Sequence, residues 1–238
     1  MILKHSDTKN KDFCVILSHF YVEKQEKHKF NILDHVIDYY KNLNAYIIFS
    51  SHGETEIPHK LQDKIDAIYW EQAIDRNELG RGHPKFCIKA FEMAKEKNFK
   101  KALKIRAEDI LLDTHQHKNL LSFLGDKKMI LSEQTSFKDE RIGDLFMFGE
   151  VSFMHELWTV LPWIYSRDGL YNLYKNFTKL SAKNVPASYI ENNCAFKSPQ
   201  ELSWVTATDA WADGKVDMQK LESCFWGRKK GFVYYGGF

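Results

Sequence analysis

The sequence predicts an α/β protein built on a mostly parallel sheet flanked by helices, and three observations carry that prediction. Short apolar runs rich in β-forming residues recur through the first 112 residues. Amphipathic stretches with three- and four-residue spacing separate them. Their order, strand–helix–strand–strand–helix–strand, is the alternation of a sheet crossed and covered by helices.

The elements follow in chain order. Residues 13–20, FCVILSHF, form a short apolar run rich in β-forming residues, as expected of a buried strand. Phe30, Leu33, Val36, Ile37 and Tyr40 then recur at helical spacing between charged positions. NAYIIFSS (44–51) is a second strand that runs into His52-Gly53-Glu54, and DAIYWEQ (66–72) is a third after a short polar connection. Gly80–Pro84 predicts a loop opening a helix, with Pro84 at the first helical position and Phe86, Cys87, Ala90, Phe91 and Ala94 on one apolar face. KALKIRAEDILL predicts the fourth strand, broken only by the adjacent carboxylates Glu108 and Asp109. Beyond it, 127–134 and 144–149 predict strands and 151–164 a helix that Pro162 ends or bends. A second helical pattern covers 167–180, and the text after Pro186 is aromatic and loop-rich. No repeat, low-complexity block or linker divides the chain, so one domain is expected over 1–238, with a nucleotide-binding half at about 12–112 and an acceptor half at about 113–238.

Bulk properties remove several functions. Apolar residues make up 44% and aromatics 14% of the 238 residues, which is globular rather than disordered. A formal net charge of +2 is too small for nucleic acid or an anionic membrane to be the main partner. No apolar run approaches the roughly 18 residues of a membrane span, and the N-terminus has no signal-peptide core, so a cytoplasmic protein is expected, with peripheral membrane association left open. Cys14, Cys87, Cys194 and Cys224 lie far apart with no C-x-x-C pair, and most sit next to a phenylalanine or alanine in apolar surroundings, as reduced core thiols do.

In open parallel sheets ligands bind beyond the carboxyl ends of the strands. Three such ends are polar here: Ser18-His19, Ser50-Ser51-His52-Gly53-Glu54, and Arg106-Ala107-Glu108-Asp109. There is no glycine-rich phosphate loop of either the mononucleotide or the dinucleotide type. A nucleotide diphosphate would then need another counter-charge, and a divalent cation on Glu108 and Asp109 is one, since Mg²⁺ and Mn²⁺ prefer hard oxygen ligands. Adjacent side chains of an extended strand face opposite ways, so both reach one ion only if the chain turns there or one acts through water. Pairing of the carboxylates with Arg106, or capping of a strand end, is the competing account.

The strand KALKIRAEDILL, preceded by the helix PKFCIKAFEMAKEKNF, looks like the strand that carries the acidic motif of GT-A glycosyltransferases. Together with RIGDLFMFG and SPQELSW it resembles the WavE lipopolysaccharide-synthesis family, over roughly residues 13–205. The acidic motif here is Ala-Glu-Asp rather than Asp-x-Asp, and the late segment reads Pro199-Gln200-Glu201 with its last two residues exchanged. The resemblance implies a GT-A-like, Rossmann-like fold and transfer of a sugar from a nucleotide-diphosphate donor to a glycan hydroxyl, on a cell-surface or capsid polysaccharide. It implies that Ser18, His19 and Glu54 meet the base or ribose, that Arg81, Lys85 and Arg106 carry diphosphate charge, and that Glu108 and Asp109 hold Mn²⁺ or Mg²⁺ or the donor sugar. A cation there stabilises the leaving group. Asp144 would face acceptor or donor sugar, and Glu191 and Glu201 are the candidate general bases.

Two other functions compete. A nucleotidyltransferase would use a similar sheet but place a glycine-rich basic loop after the first strand, where this chain has SHFYVEKQEKHK. A non-catalytic sugar-binding relative would keep the fold without the chemistry. The aromatics Trp204, Trp211, Trp226, Tyr234 and Tyr235 could stack on sugar rings or fill the core, the basic tail segment Gly227–Gly231 could close over phosphates, and His115 and His117 read as solvent-facing.

Overall fold

The computed structural model describes residues 2–5, 11, 13–18, 22–24, 26–72, 79–112, 116–132, 146–160 and 192–224, the side chains of 2–5, 79–83, 116–117 and 160 excepted. Eight strands form one sheet in the order β1-β4-β3-β2-β5-β8-β7-β9. They are β1 (Ile2–His5), β2 (Phe13–Ser18), β3 (Ala45–Gly53), β4 (Ala67–Gln72), β5 (Lys101–Arg106), β7 (Met129–Ser132), β8 (Met147–Glu150) and β9 (Cys194–Lys197). The neighbours β4-β3-β2-β5 are parallel, and only β1 and β8 run against the common direction. The predicted α/β layering is therefore present, with antiparallel strands added at one edge and in the second half.

Alternation along β2 sorts the two layers. Val15 and Leu17 face the helix α1 (Lys29–Asn42), whose Phe30, Leu33, Val36, Ile37 and Tyr40 are buried as their spacing predicts. Cys14 and Ile16 face the opposite way, into a second core made with α3 (Leu79–Glu96) and α5 (Val151–Val160). Strand β3 is buried at every position; its first five residues, Ala45–Phe49, are accordingly a continuous apolar run, and Ser50, Ser51 and His52 are buried polar groups at its carboxyl end. A left-handed asparagine follows each of α1 and α3, Asn44 at φ 58° and Asn98 at φ 62°. Asparagine tolerates that conformation, and it turns the chain sharply out of the helix towards β3 and β5.

Four expectations are corrected. The helix α3 starts at Leu79, so Pro84 lies inside it rather than at its first position. The polar connection after β3 contains a short helix, α2 (His59–Lys64). An additional strand, β1, pairs antiparallel with the outer edge of β4. And KALKIRAEDILL is not one strand: β5 stops at Arg106, the chain turns at Ala107-Glu108, and β6 (Asp109–Leu111) joins a separate two-stranded sheet with β10 (Trp204–Thr206). The hydroxyl of Tyr39 donates to the Leu111 carbonyl, and the Leu111 amide donates to Tyr40 Oη at 3.3 Å, so α1 anchors β6 on its own side of the main sheet.

The 144–149 strand is found as β8, its first two residues lying outside the described ones, and α5 covers the described part of the 151–164 helix. The 167–180 helix, His115, Trp226, Tyr234, Tyr235 and the Gly227–Gly231 segment lie outside the described residues, as does the side chain of His117. All four cysteines are buried. Burial pushes the Cys194 thiol up to about 12, as expected of an unreactive core residue.

Candidate active site

The parallel strands place a topological switch point between β2 and β5. From β2 the chain moves outward through α1 to β3 and β4, then returns by α3 to the other side of β2. Connections leave the two neighbouring strands in opposite directions, and a crevice opens at their carboxyl ends. The two last residues, Ser18 and Arg106, are direct register partners, and the Ala107 amide donates to the Ser18 carbonyl at 2.9 Å.

On the α3 face of the sheet the residues nearest those ends are polar. Ser18 follows Cys14 and Ile16 on that face, and Arg106 follows Ala102 and Lys104. Ser18 is fully buried, and its Oγ has no hydrogen-bond partner among the described residues. On β3, Ser50 Oγ donates to the Phe86 carbonyl at 2.7 Å, and the His52 ring stacks on Phe86 at 4.6 Å and 12°. Glu54 follows this strand; its carboxylate accepts the Lys24 amide at 3.4 Å and its own amide donates to the Val22 carbonyl at 3.1 Å. The segment that follows β2 is thereby laid against the end of β3.

The carboxylates that interrupted the apolar run have separate partners. Glu108 Oε2 accepts from Arg106 Nη2 at 2.6 Å, and both side chains are largely buried. Asp109, the first residue of β6, is fully buried, and its Oδ2 accepts from the indole of Trp204 at 3.0 Å. Burial pushes the Asp109 carboxyl up to about 7, against the Arg106 charge and the hydrogen bonds from Trp204 and Thr206, while the Glu108 charge adds to the rise.

A pH prediction follows. With a folded pKa of about 7 against 3.8, the native state keeps the proton that the unfolded chain releases above about pH 4. Stability therefore falls as pH rises from about 4 to 7 and is flat above, by a few kcal/mol at about 1.4 kcal/mol per unit. Asp109→Asn removes the ionisation. Urea midpoints should show it gaining stability over wild type between pH 5 and pH 8; an equal difference at both pH values would contradict the assignment.

Lys85 is held elsewhere. Its Nζ lies 2.6 Å and 2.8 Å from the two oxygens of Glu71, which also accepts from Tyr69 Oη at 2.5 Å. This cluster at the end of β4 was not anticipated, although the alternation of DAIYWEQ puts Tyr69 and Glu71 on one face. Glu201 closes a helix-cap-like turn: its Oε2 accepts from Ser198 N and Oγ at 2.9 Å and 3.0 Å, and its Oε1 pairs with Lys197 at 3.0 Å. His19, Asp144 and Glu191 lie outside the described residues, as does the side chain of Arg81. Of the aromatics, Trp204 is core, whereas Trp211 is partly exposed and lines a groove of about 390 Å³ with Asn31, Asp34, His35 and Asp38 of α1.

The described residues do not fit a divalent cation bound jointly by Glu108 and Asp109. Asp109 Oδ1 has no hydrogen-bond partner among the described residues, but it is sealed from solvent, with no access for a hydrated ion, and Oδ2 is bonded to Trp204. Glu108 already neutralises a guanidinium. Among the described residues no three His, Cys, Asp or Glu side chains converge.

No protein-family model matches the chain, and no curated protein matches it. Among solved structures it is similar to a glycosyltransferase involved in the glycosylation of the major capsid of PBCV-1, at 13% identity and TM-score 0.42, covering 79% of this chain and 82% of that one. It is also similar to the mannosyltransferase PcManGT from Pyrobaculum calidifontis, solved with GDP-Man and Mn²⁺, at 7% identity and TM-score 0.46, covering 84% of this chain and 58% of that one.

Proposed function

We propose that the chain is a glycosyltransferase that moves a sugar from a nucleotide-diphosphate donor to a glycan hydroxyl, with the donor lying across the β2/β5 switch point. The supporting observation is the placement of Ser18, Arg106 and Glu108 at that switch point, with the polar end of β3 beside it. The bond between the anomeric carbon and the diphosphate oxygen breaks, and the diphosphate leaves with the electron pair. The acceptor oxygen forms the new bond and gives its proton to a carboxylate base, Glu191 or Glu201, with Asp144 facing the acceptor or donor sugar. Arg106 is the described cation best placed to stabilise the charge that develops on the leaving group.

In this reading Ser18, His19 and Glu54 bind the nucleoside, and Arg81 and Lys85 reinforce the diphosphate site. Lys85 would first have to leave Glu71. The acceptor is a surface or capsid glycan, as in lipopolysaccharide assembly, and the enzyme works in the cytoplasm; no helix among the described residues is long and apolar enough to cross a membrane. Incubation with UDP-, GDP-, CDP- and ADP-sugars should release one nucleoside diphosphate, faster when the right acceptor is present. Release of pyrophosphate from a nucleoside triphosphate and a sugar phosphate would instead make the chain a nucleotidyltransferase. Glycan binding with no donor consumed would make it a sugar-binding protein.

A further inference from the structure

We infer that the charged element at the switch point is the Arg106–Glu108 ion pair itself, working without a divalent cation, with Glu108 as the positioning residue that aims Arg106 at a diphosphate. The inference rests on the glycosyltransferase reading for the identity of the ligand, and on side-chain geometry for the rest.

The chain path separates the two carboxylates. The turn at Ala107-Glu108 and the start of β6 at Asp109 send them to different partners. The backbone on either side is fixed. Ala107 N bonds to Ser18 O at 2.9 Å, Glu108 O accepts from Ala207 N at 2.8 Å, and Asp109 is in register with Thr206 of β10. Turning Asp109 outward to join Glu108 on one ion would break its bond to Trp204 and strip β6 from β10. Asp109 is thus a buried anchor within the β6/β10 sheet.

Glu108 lies at the edge, and its carboxylate meets the Arg106 guanidinium at 2.6 Å. A cation approaching this carboxylate would face a positive charge already on it, whereas an anion would find an arginine whose orientation is set. A guanidinium has five donors in a fork, so one edge can stay on Glu108 while another meets phosphate oxygens. Arg106 also terminates β5 directly opposite Ser18, which puts it at the crevice rather than behind it. The protein cation would thereby take the role that a metal takes on a diphosphate.

Two measurements test this. Mn²⁺ alone is titrated into wild type and Glu108→Gln while the free-ion electron paramagnetic resonance signal is followed. The two proteins should leave the same free Mn²⁺. Second, Tm shifts are measured in EDTA with UDP, GDP, CDP and ADP and with the corresponding nucleosides. One diphosphate should shift Tm in EDTA as it does with Mn²⁺. Arg106→Gln should weaken that diphosphate about tenfold or more, and Glu108→Gln less, with the nucleoside shift unchanged in both. A variant that merely loosens the fold would lose diphosphate and nucleoside alike. Should Arg106→Gln not fold, Arg106→Lys keeps the charge without the fork and should fall between. Mn²⁺ bound by wild type and released by Glu108→Gln, or a diphosphate shift that requires Mn²⁺, overturns the inference. If none of the four diphosphates binds, the glycosyltransferase reading fails, and with it the role of Arg106; the Mn²⁺ comparison still decides whether Glu108 is a metal ligand.

Discussion

Trp204→Ala should lower the unfolding free energy by about 4–8 kcal/mol, enough to leave the chain largely unfolded if its total stability is ordinary. Trp204 is fully buried, packs on Phe146 at 5.5 Å and lies in the core shared with α1. Removing the indole leaves a cavity, which accounts for about 3–5 kcal/mol. It also takes the 3.0 Å hydrogen bond from a buried Asp109 carboxylate, which adds about 1–3 kcal/mol. Trp204→Phe separates the two effects, because it keeps an aromatic ring and loses the N–H. Urea unfolding should place it much nearer to wild type than to Trp204→Ala. If both variants are equally destabilised, the hydrogen bond outweighs the packing, contrary to this account.

Gly149→Ala should be nearly as damaging, by about 3 kcal/mol or more and a fall of roughly 10 °C in Tm. Gly149 lies in β8, between β5 and β7 in the middle of the sheet's second half. A methyl group there would sit 2.2 Å from the Lys128 carbonyl oxygen and 2.7 Å from Met129 Cα. Both are backbone atoms, and Lys128 O also accepts from Glu150 N at 2.8 Å, so relief requires pulling β7 from β8. Gly125 is the control: at φ +54° it strains an added side chain, but no atom lies within 4 Å, and Gly125→Ala should cost only about 1 kcal/mol. A calorimetric scan of the two variants that gives equal Tm values would contradict the close approach at β8.

Most of the parallel half was legible because periodicity is a local signal. The apolar runs became β2, β3, β4 and β5, and the helical spacing of Phe30 to Tyr40 became the buried face of α1. What was not legible depends on distant partners. Nothing in KALKIRAEDILL shows that the chain leaves the sheet after Arg106, because the strand that captures Asp109 is β10, and Trp204 is 95 residues further on. Strand β1 is only four residues long and needs the edge of β4 to exist. Pro84 suggested a helix start because proline favours that position, but α3 extends past it towards the N-terminus.

The candidate site was legible to a similar depth. Ser18, Glu54 and Arg106 are where strand ends put them, since a parallel topology fixes which edge binds ligands. The pairing of Arg106 with Glu108, two residues apart, was one of the accounts the sequence left open. The attachment of Lys85 to Glu71, 14 residues apart, was not foreseen because only the folded chain brings α3 against the end of β4, whereas the cap made by Glu201 with Ser198 is a local Ser-x-x-Glu pattern that the sequence does carry.

The central claim is that a nucleotide-diphosphate donor sits at the β2/β5 switch point against Arg106. The most direct measurement is a crystal structure with the nucleoside diphosphate that gives the largest Tm shift. The account predicts the diphosphate beyond the carboxyl ends of β2 and β5, with phosphate oxygens within hydrogen-bond distance of Arg106 and the Glu108 contact retained. A nucleotide bound away from that crevice, for instance in the groove between α1 and Trp211, or one whose phosphates do not touch Arg106, would contradict it.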